Sequence, residues 1–511
     1  MGIRLFYCII GLLYFSESFG REKLYCDEIE EILKNTKSAF PFGVATGDPH
    51  QTSMIFWTAI NPYKIAQHVP VVLEISTDIT FSGKKIEVSE IPSYSDAFSV
   101  KFQVDNLLAE TRYFYRFKYN QETSTVGQTK TLSNDPKKLR LIVASCSNWE
   151  WGYFNAYKSM TKVPDVDAVI HLGDYIYEYE PDRYGKKTLN RKHLPAKELI
   201  TLQDYRSRYA QYHLDPDLQA AHQVLPFITI WDDHEIANDS YTDGAENHQE
   251  QTEGSWEMRK AAAQKAYFEW LPITKHPQYR IRRKFNFGSL ADLYMLDERM
   301  EGRNKQPKGI EDPVRIDSAR SMLGIEQRDW LLHEIQASTA KWKILGNQVI
   351  FSAYDYPTRL TKYSKSMDMW EGYPVERNFL LKQFYNQGER NLVVLTGDIH
   401  ASFSFELRAD YRDPKSAIGV EWTSTSISSA SINEYLPTWK TRLVERMFKK
   451  KGLNPHLDYI NFRDHGFLLV TFTEKEVVAN WYFEKNILKP KPKIKRIVTR
   501  KMNYKENPQP I

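Results

Sequence analysis

Five short apolar runs organise the chain, because each of them ends in polar residues of one chemical kind. Ala168 to Leu172 is interrupted only by His171, the pattern of a buried parallel strand, and Gly173 breaks it so that Asp174 leaves at the carboxyl end. Leu141 to Ala144 runs into Ser145-Cys146-Ser147, and Phe227 to Trp231 into Asp232-Asp233-His234-Glu235. Tyr294 to Leu296 runs into Asp297-Glu298-Arg299, and Leu392 to Leu395 into Thr396-Gly397-Asp398-Ile399-His400. Open α/β sheets bind their ligands at the carboxyl ends of the strands. Here those ends carry thiol, carboxylate and imidazole.

From Arg140 onward these strands alternate with helical segments, which predicts an α/β domain. Trp256, Ala263, Tyr267 and Trp270 recur at helical spacing in Ser255 to Trp270, and Pro272 stops that helix; Ile325 to Gln336 predicts another. Phe42 to about Leu132 is different. Val71 to Ile75, Phe98 to Val104 and Tyr113 to Tyr119 alternate or are β-rich, with turn residues between them. In Leu107 to Tyr115 a tyrosine follows a turn in the manner of a fibronectin-type sandwich, where its hydroxyl ties the corner. The predicted division is a signal segment over 1–20, a lead-in over 21–39, an all-β fibronectin- or immunoglobulin-like sandwich over 40–132, a catalytic α/β domain over 138–485 and a basic tail over 486–511. No internal repeat has the period of a solenoid or propeller.

Composition narrows the class. The chain has 511 residues, 41% hydrophobic and 14% aromatic, enough for a large core. Arg4, the apolar run Leu5 to Phe15 and the small Ser18 and Gly20 read as a cleavable secretory signal; an uncleaved anchor is the alternative. The mature protein is then secreted, periplasmic or in the cell envelope, and no later stretch reaches the length of a transmembrane segment. Of three cysteines, Cys8 leaves with the signal. If Cys146 is a metal ligand, Cys26 is unpaired and the fold stands without disulfides; a Cys26–Cys146 bridge is the alternative. A net charge of +4 makes no case for nucleic acid. The basic run Lys489 to Lys505 could favour a polyanion or an anionic surface, and more simply reads as a solvated, partly disordered tail.

Taken in order, Ser145-Cys146-Ser147, Gly173-Asp174-Tyr175-Ile176-Tyr177-Glu178, Trp231-Asp232-Asp233-His234-Glu235 with Asn238-Asp239, and Gly397-Asp398-Ile399-His400 resemble the PhoD-like alkaline phosphatases, which are calcineurin-like metallophosphoesterases. Phe42 to Pro49, Met322 to Gln327, Gly346-Asn347-Gln348, Trp370 to Pro374 and Asn454-Pro455-His456 resemble the same family, so the matches run from about Phe42 to Tyr482. The resemblance implies a metallophosphoesterase-type sheet core flanked by helices, behind the small sandwich. It also implies hydrolysis of phosphomonoesters, phosphodiesters or both, usually at alkaline pH.

A phosphate ester repels a nucleophile, so its hydrolysis calls for cations that neutralise charge and make hydroxide available near neutral pH. Neighbouring metals need a bridging carboxylate, for which Asp174 is the candidate. Tyr177, three residues on, can reach the same ion if the loop turns, and a phenol ligand asks for a strongly Lewis-acidic metal. Cys146 and His400 complete a set suited to a redox-capable transition metal, and the resemblance implies ferric iron there; zinc would suit Cys and His but explains Tyr177 less well. Asp232, Asn238, Asp239 and Asp398 are oxygen donors that favour calcium, magnesium or manganese, and the resemblance implies one or two calcium ions. Some relatives carry two asparagines where this chain has Asn238-Asp239.

His234 is either a partner of a ligand or a proton donor. Arg259, on the helix after that loop, can hold substrate phosphate through paired hydrogen bonds or can be salt-bridged instead. Asp297 and Arg299 can support the site or pair with each other. The expected enzyme is an exported, monomeric or weakly associated phosphoesterase in which a metal-held hydroxide attacks phosphorus in line. No Gly-x-Ser-x-Gly elbow suggests a phospho-enzyme. Two alternatives remain: a phosphodiesterase or phospholipase acting on envelope polymers or lipids, and a metal-stabilised binding protein without turnover.

Overall fold

The apolar runs become the middle strands of two sheets. In a computed structural model the described residues are 23–66, 68–357, 366–450 and 452–505, so the signal expected over 1–20 lies outside them. Among the described residues no helix is long and apolar enough to cross a membrane.

The first sheet has nine strands, in the order Ile494–Asn503, Glu476–Glu484, Gly466–Thr473, Lys138–Ala144, Ala168–His171, Pro226–Thr229, Val44–Gly47, Met54–Ala59 and Ser99–Val104. Lys138–Ala144, Ala168–His171, Pro226–Thr229 and Val44–Gly47 are mutually parallel. The second sheet has seven strands, in the order Arg283–Phe287, Ala291–Met295, Trp342–Gly346, Leu392–Thr396, Ala417–Thr423, Ser402–Arg408 and Leu457–Asn461, the middle four parallel. Val143, Ile170 and Leu468 of the first sheet share one apolar cluster with Ile344, Val393, Leu395 and Trp422 of the second. The sheets therefore pack face to face. The burial of both faces explains why the parallel strands read as unbroken apolar runs.

The helices Leu202–His213, Pro216–Val224 and Trp256–Trp270 pack beside the first sheet, and Ile325–Ala337 and Pro374–Asn386 beside the second. Ser255 caps Trp256–Trp270, its hydroxyl accepting from the Met258 amide at 3.3 Å.

The N-terminal region is all-β, as expected, and the Tyr113 hydroxyl accepts from the Leu108 amide at 2.8 Å, tying the corner. Its two sheets differ in their attachments. Ile86–Glu90, Val71–Ser76, Arg112–Tyr119, Glu122–Thr123 and Gly127–Lys130 form a sheet of their own. Val44–Gly47 instead pairs with Pro226–Thr229, so Met54–Ala59 and Ser99–Val104 extend the core sheet. Every residue of Val44–Gly47 and Met54–Ala59 is buried, as an interior position in a sheet requires.

One expectation is corrected. The basic tail is a strand over Ile494–Asn503, paired along Glu476–Glu484. Lys495 and Arg496 bond Asp464, Arg500 bonds Asp458, and Lys501 lies 3.2 Å from Glu476. Charged side chains on an edge strand keep the edge from pairing further. Cys26 and Cys146 are both free thiols, which excludes the alternative of a bridge between them and agrees with the reading of Cys146 as a ligand.

Candidate metal centre

Backbone contacts draw the strand ends together before any side chain is considered. The Glu235 carboxylate accepts the amides of Asp174 at 3.0 Å, Tyr175 at 2.5 Å and Asp232 at 2.8 Å, which locks two loops to one buried group. Cys146 N–H donates to the Gly173 carbonyl and Ser147 N–H to that of Asp174. Cys146, Asp174, Asp239, Asp398 and His400 all have left-handed φ, between 52° and 63°. That conformation is uncommon for residues with a side chain, and its clustering in one place marks a functional site.

Gly173 is required by contact as well as by conformation. Its φ is 95°, and an added Cβ would lie 2.3 Å from Asp232 Cβ and 2.4 Å from Asp232 N. Gly173→Ala is expected to cost about 2 kcal/mol or more and to weaken cation binding by parting Asp174 from Asp232. Calorimetry and calcium titration of the variant check both, and a parent-like variant would refute the close approach.

One group of donors joins Cys146, Asp174 and His400, whose ligand atoms lie within 4.8 Å of one another. Tyr177 is in the same place: its hydroxyl donates to Asp174 Oδ2 at 2.8 Å and lies 3.2 Å from His400 Nε2. His400 Nδ1 is 2.9 Å from the Ala430 carbonyl and so carries the proton, which leaves Nε2 as the bare nitrogen facing Asp174. Burial holds the His400 imidazole down to about 4. Burial, and then the Asp174 carboxylate, push the Cys146 thiol up, so a thiolate here needs a cation beside it. Ser429, which the sequence did not single out, places its hydroxyl 2.6 Å from that of Tyr177.

The other groups are acidic. Asp232, Asp233 and Asp398 form one, Asp233, Asp239 and Asp368 another, and Asp174, Asp233 and His234 a third. Arg299 lies between them, fully buried: it donates to Asp232 and, at 2.7 Å, to Asp368, with Asp233 and Asp398 at 3.7 and 3.8 Å. Arg303 also donates to Asp368. Burial pushes Asp232 up to about 7 against the pull of Arg299. Asp368, and then burial, push Asp239 up to about 8.

Most of the residues expected in the site are gathered here; two stand apart. Asn238 turns its amide to Glu246 at 3.2 Å, while its backbone N–H donates to Glu178. Arg259, expected to reach substrate phosphate, instead donates to Tyr205, to the Asn247 carbonyl, to Glu253 and to Glu198. It lies behind Glu178, which accepts Asn247 Nδ2 and His234 Nδ1, at 2.8 and 2.7 Å. Nor does Arg299 bond the Asp297 side chain through its guanidinium; only its backbone N–H does so.

The donor set fits bound cations. Six aspartates converge with Arg299 and Arg303 as their close guanidinium partners, an excess of negative charge. Two buried carboxylate oxygens, Asp174 Oδ1 and Asp232 Oδ2, have no hydrogen-bond partner. Buried charge of this kind is ordinarily paired or metal-bound.

Face-to-face sheets whose strand ends pool sulfur, nitrogen and oxygen donors define a metallohydrolase-type centre. A family model described as PhoD-like phosphatase matches residues 141–481, and one described as PhoD-like phosphatase, N-terminal domain, matches residues 28–133. Alkaline phosphatase D of Bacillus subtilis (strain 168) is 36% identical over 467 residues, which cover 87% of this chain and 78% of that protein. The solved structure of PhoD superposes with a TM-score of 0.80 at 33% identity, over 92% of this chain and 91% of that one. The chain belongs to the PhoD-like phosphatase family, whose members are phosphoric ester hydrolases of the alkaline phosphatase D type.

Proposed function

We propose that the chain is an exported, metal-dependent phosphoesterase that hydrolyses phosphomonoesters, phosphodiesters or both. The observation that carries metal dependence is the pair of unpartnered oxygens, Asp174 Oδ1 and Asp232 Oδ2, inside a six-aspartate cluster. Cys146, Asp174, Tyr177 and His400 would hold one ferric iron. Asp174, Asp232, Asp239 and Asp398, with Asn238 at the margin, would hold one or two calcium ions. Bound there, the cations supply charge neutralisation and a water of lowered pKa.

The chain's own residues do the rest. Glu178 fixes the His234 imidazole through Nδ1, and the Tyr177 and Tyr179 rings flank it at 4.3 and 5.2 Å between centroids. Burial opposes the imidazolium, but Asp233, Glu178 and Asp174 outweigh it and hold His234 well above its usual range. With Nδ1 bonded to Glu178, a proton on Nε2 would be the one offered to the departing alkoxide. Arg259 positions this donor through Asn247 and Glu178.

The test is hydrolysis of a chromogenic phosphomonoester and the matching diester, before and after chelation. Activity should vanish on chelation and return with calcium. Turnover of neither substrate by the metal-loaded chain would overturn the general phosphoesterase reading and leave a narrow-specificity enzyme or a binding protein in its place.

A further inference from the structure

The helix Thr438–Phe448, together with the turn before it, carries a surface that hydrolysis at the centre does not use. Tyr435, Leu436, Trp439 and Leu443 are 62, 36, 66 and 49% exposed, four large apolar side chains within nine residues. Trp439 and Leu443 are one helical turn apart and share a face. The opposite face, Thr441, Val444, Glu445 and Phe448, packs on the protein. Single exposed apolar residues are ordinary, but a contiguous group marks a contact surface.

The charges around this group have one sign. Lys440, Arg442, Arg446, Lys449 and Lys450 are exposed. The acids of the same segment turn inward: Glu434 bonds the Ser431 amide and His465, and Glu445 bonds the Phe462 amide and Arg463. Among the described residues no carboxylate pairs with Lys440, Arg442 or Arg446. The basic strand at the C-terminus is the reverse case, since Lys495, Arg496, Arg500 and Lys501 all have acidic partners. A helix with Trp and Leu outward and Lys and Arg beside them has the pattern that lies in a membrane interface and is drawn to anionic lipid.

The surface adjoins the metal centre. Tyr435 meets the Trp151 ring at 5.9 Å, Trp151 meets Tyr184 at 6.0 Å, and the Tyr184 hydroxyl lies 3.2 Å from His400 Nδ1. Lys186 adds a cation over the Trp151 ring.

We propose that Tyr435, Leu436, Trp439 and Leu443, with the basic residues beside them, dock this chain on an anionic lipid bilayer and hold the metal centre against it. The docking stands on the surface alone; that lipid-borne phosphoesters thereby reach the centre rests on the phosphoesterase reading above. The apolar members favour a bilayer over a soluble polyanion, because side chains such as Leu436 and Leu443 gain nothing from a hydrated polymer.

The experiment is co-sedimentation of the full mature chain with vesicles of phosphatidylglycerol and phosphatidylcholine, and with phosphatidylcholine alone. Turnover of a soluble chromogenic monoester is followed alongside. The parent should favour the anionic vesicles. W439S/L443S should lower that partition roughly tenfold or more and leave soluble turnover within about twofold. A parent that turns over the soluble ester but does not sediment overturns the proposal, as does a serine pair that sediments like the parent. Binding lost in R442Q/R446Q but unchanged in W439S/L443S makes the surface a polyanion site instead. A parent dimer that the serine pair converts to monomer makes it a contact between copies. A parent that sediments but hydrolyses no phosphoester bears out the docking and overturns only its substrate side.

Discussion

Asp174→Asn is expected to lower phosphomonoester turnover by about 10³-fold or more, while the metal-free variant unfolds no more easily than its parent. The two effects have separate causes. Asp174 leaves a strand end in a left-handed conformation, accepts the Tyr177 hydroxyl on Oδ2 and has no partner on Oδ1. Burial raises its carboxyl well above the usual range, with His234 opposing and Asp233 reinforcing the shift. Without cations the ionised group is a burden on the fold. Replacing it with a neutral isostere removes that burden, a gain of about 1–3 kcal/mol. With cations it is the group best placed to be shared between the Cys146 set and the acidic set, so the same change removes their common ligand. Loss of activity with unchanged or raised metal-free stability is the mark of a residue kept for function. Turnover within tenfold of the parent would refute this role, and so would a large fall in metal-free stability.

Why Asp174 could be found from the sequence, and other residues could not, has a physical reason. An apolar run that stops at polar residues, or at a breaking glycine such as Gly173 or Gly397, states both that a strand is buried and where its end lies, and Cys146, Asp174, Asp232, Asp398 and His400 all sit just beyond such ends. Asp368 precedes the short helical turn Trp370–Gly372 and follows no apolar run in the sequence, so nothing local tells it from other loop aspartates. Arg259 shows the limit of periodicity. It falls on the buried face of its helix with Ala263, Tyr267 and Trp270, but its carboxylate partners are Glu253, six residues before it, and Glu198, sixty-one residues before it, and helical spacing gives neither. Asn247 and Ser429 act through hydrogen bonds across long separations, which no spacing rule encodes. The C-terminal strand is a different failure. Its lysines and arginines suggest a solvated tail, whereas Ile494, Ile497, Val498 and Thr499 carry the β-branched signal that the free edge of Glu476–Glu484 selects.

Arg299 supplies the opposite result to Asp174. Its guanidinium is fully buried among Asp232, Asp233, Asp368 and Asp398, so with Arg303 on Asp368 it supplies the fixed positive charge that makes the cluster tolerable when no metal is bound. Removing one partner of a buried ion network leaves the others uncompensated, at about 3–5 kcal/mol. Arg299→Met, close in volume but without charge, should therefore unfold in the metal-free state at markedly lower temperature than the parent. Divalent cations bind the folded state and relieve the same repulsion, so saturating calcium should restore more stability to Arg299→Met than it adds to the parent. The pH dependence has a matching sign. With the guanidinium gone, the aspartates of the metal-free variant ionise less readily, and the deficit should shrink as pH falls and they take up protons. Thermal unfolding of parent and variant at neutral and mildly acidic pH, with and without calcium, reads all three effects. Equal metal-free stability would show that Arg299 does not carry the cluster's charge, and a deficit that calcium does not reduce would show that its role is packing.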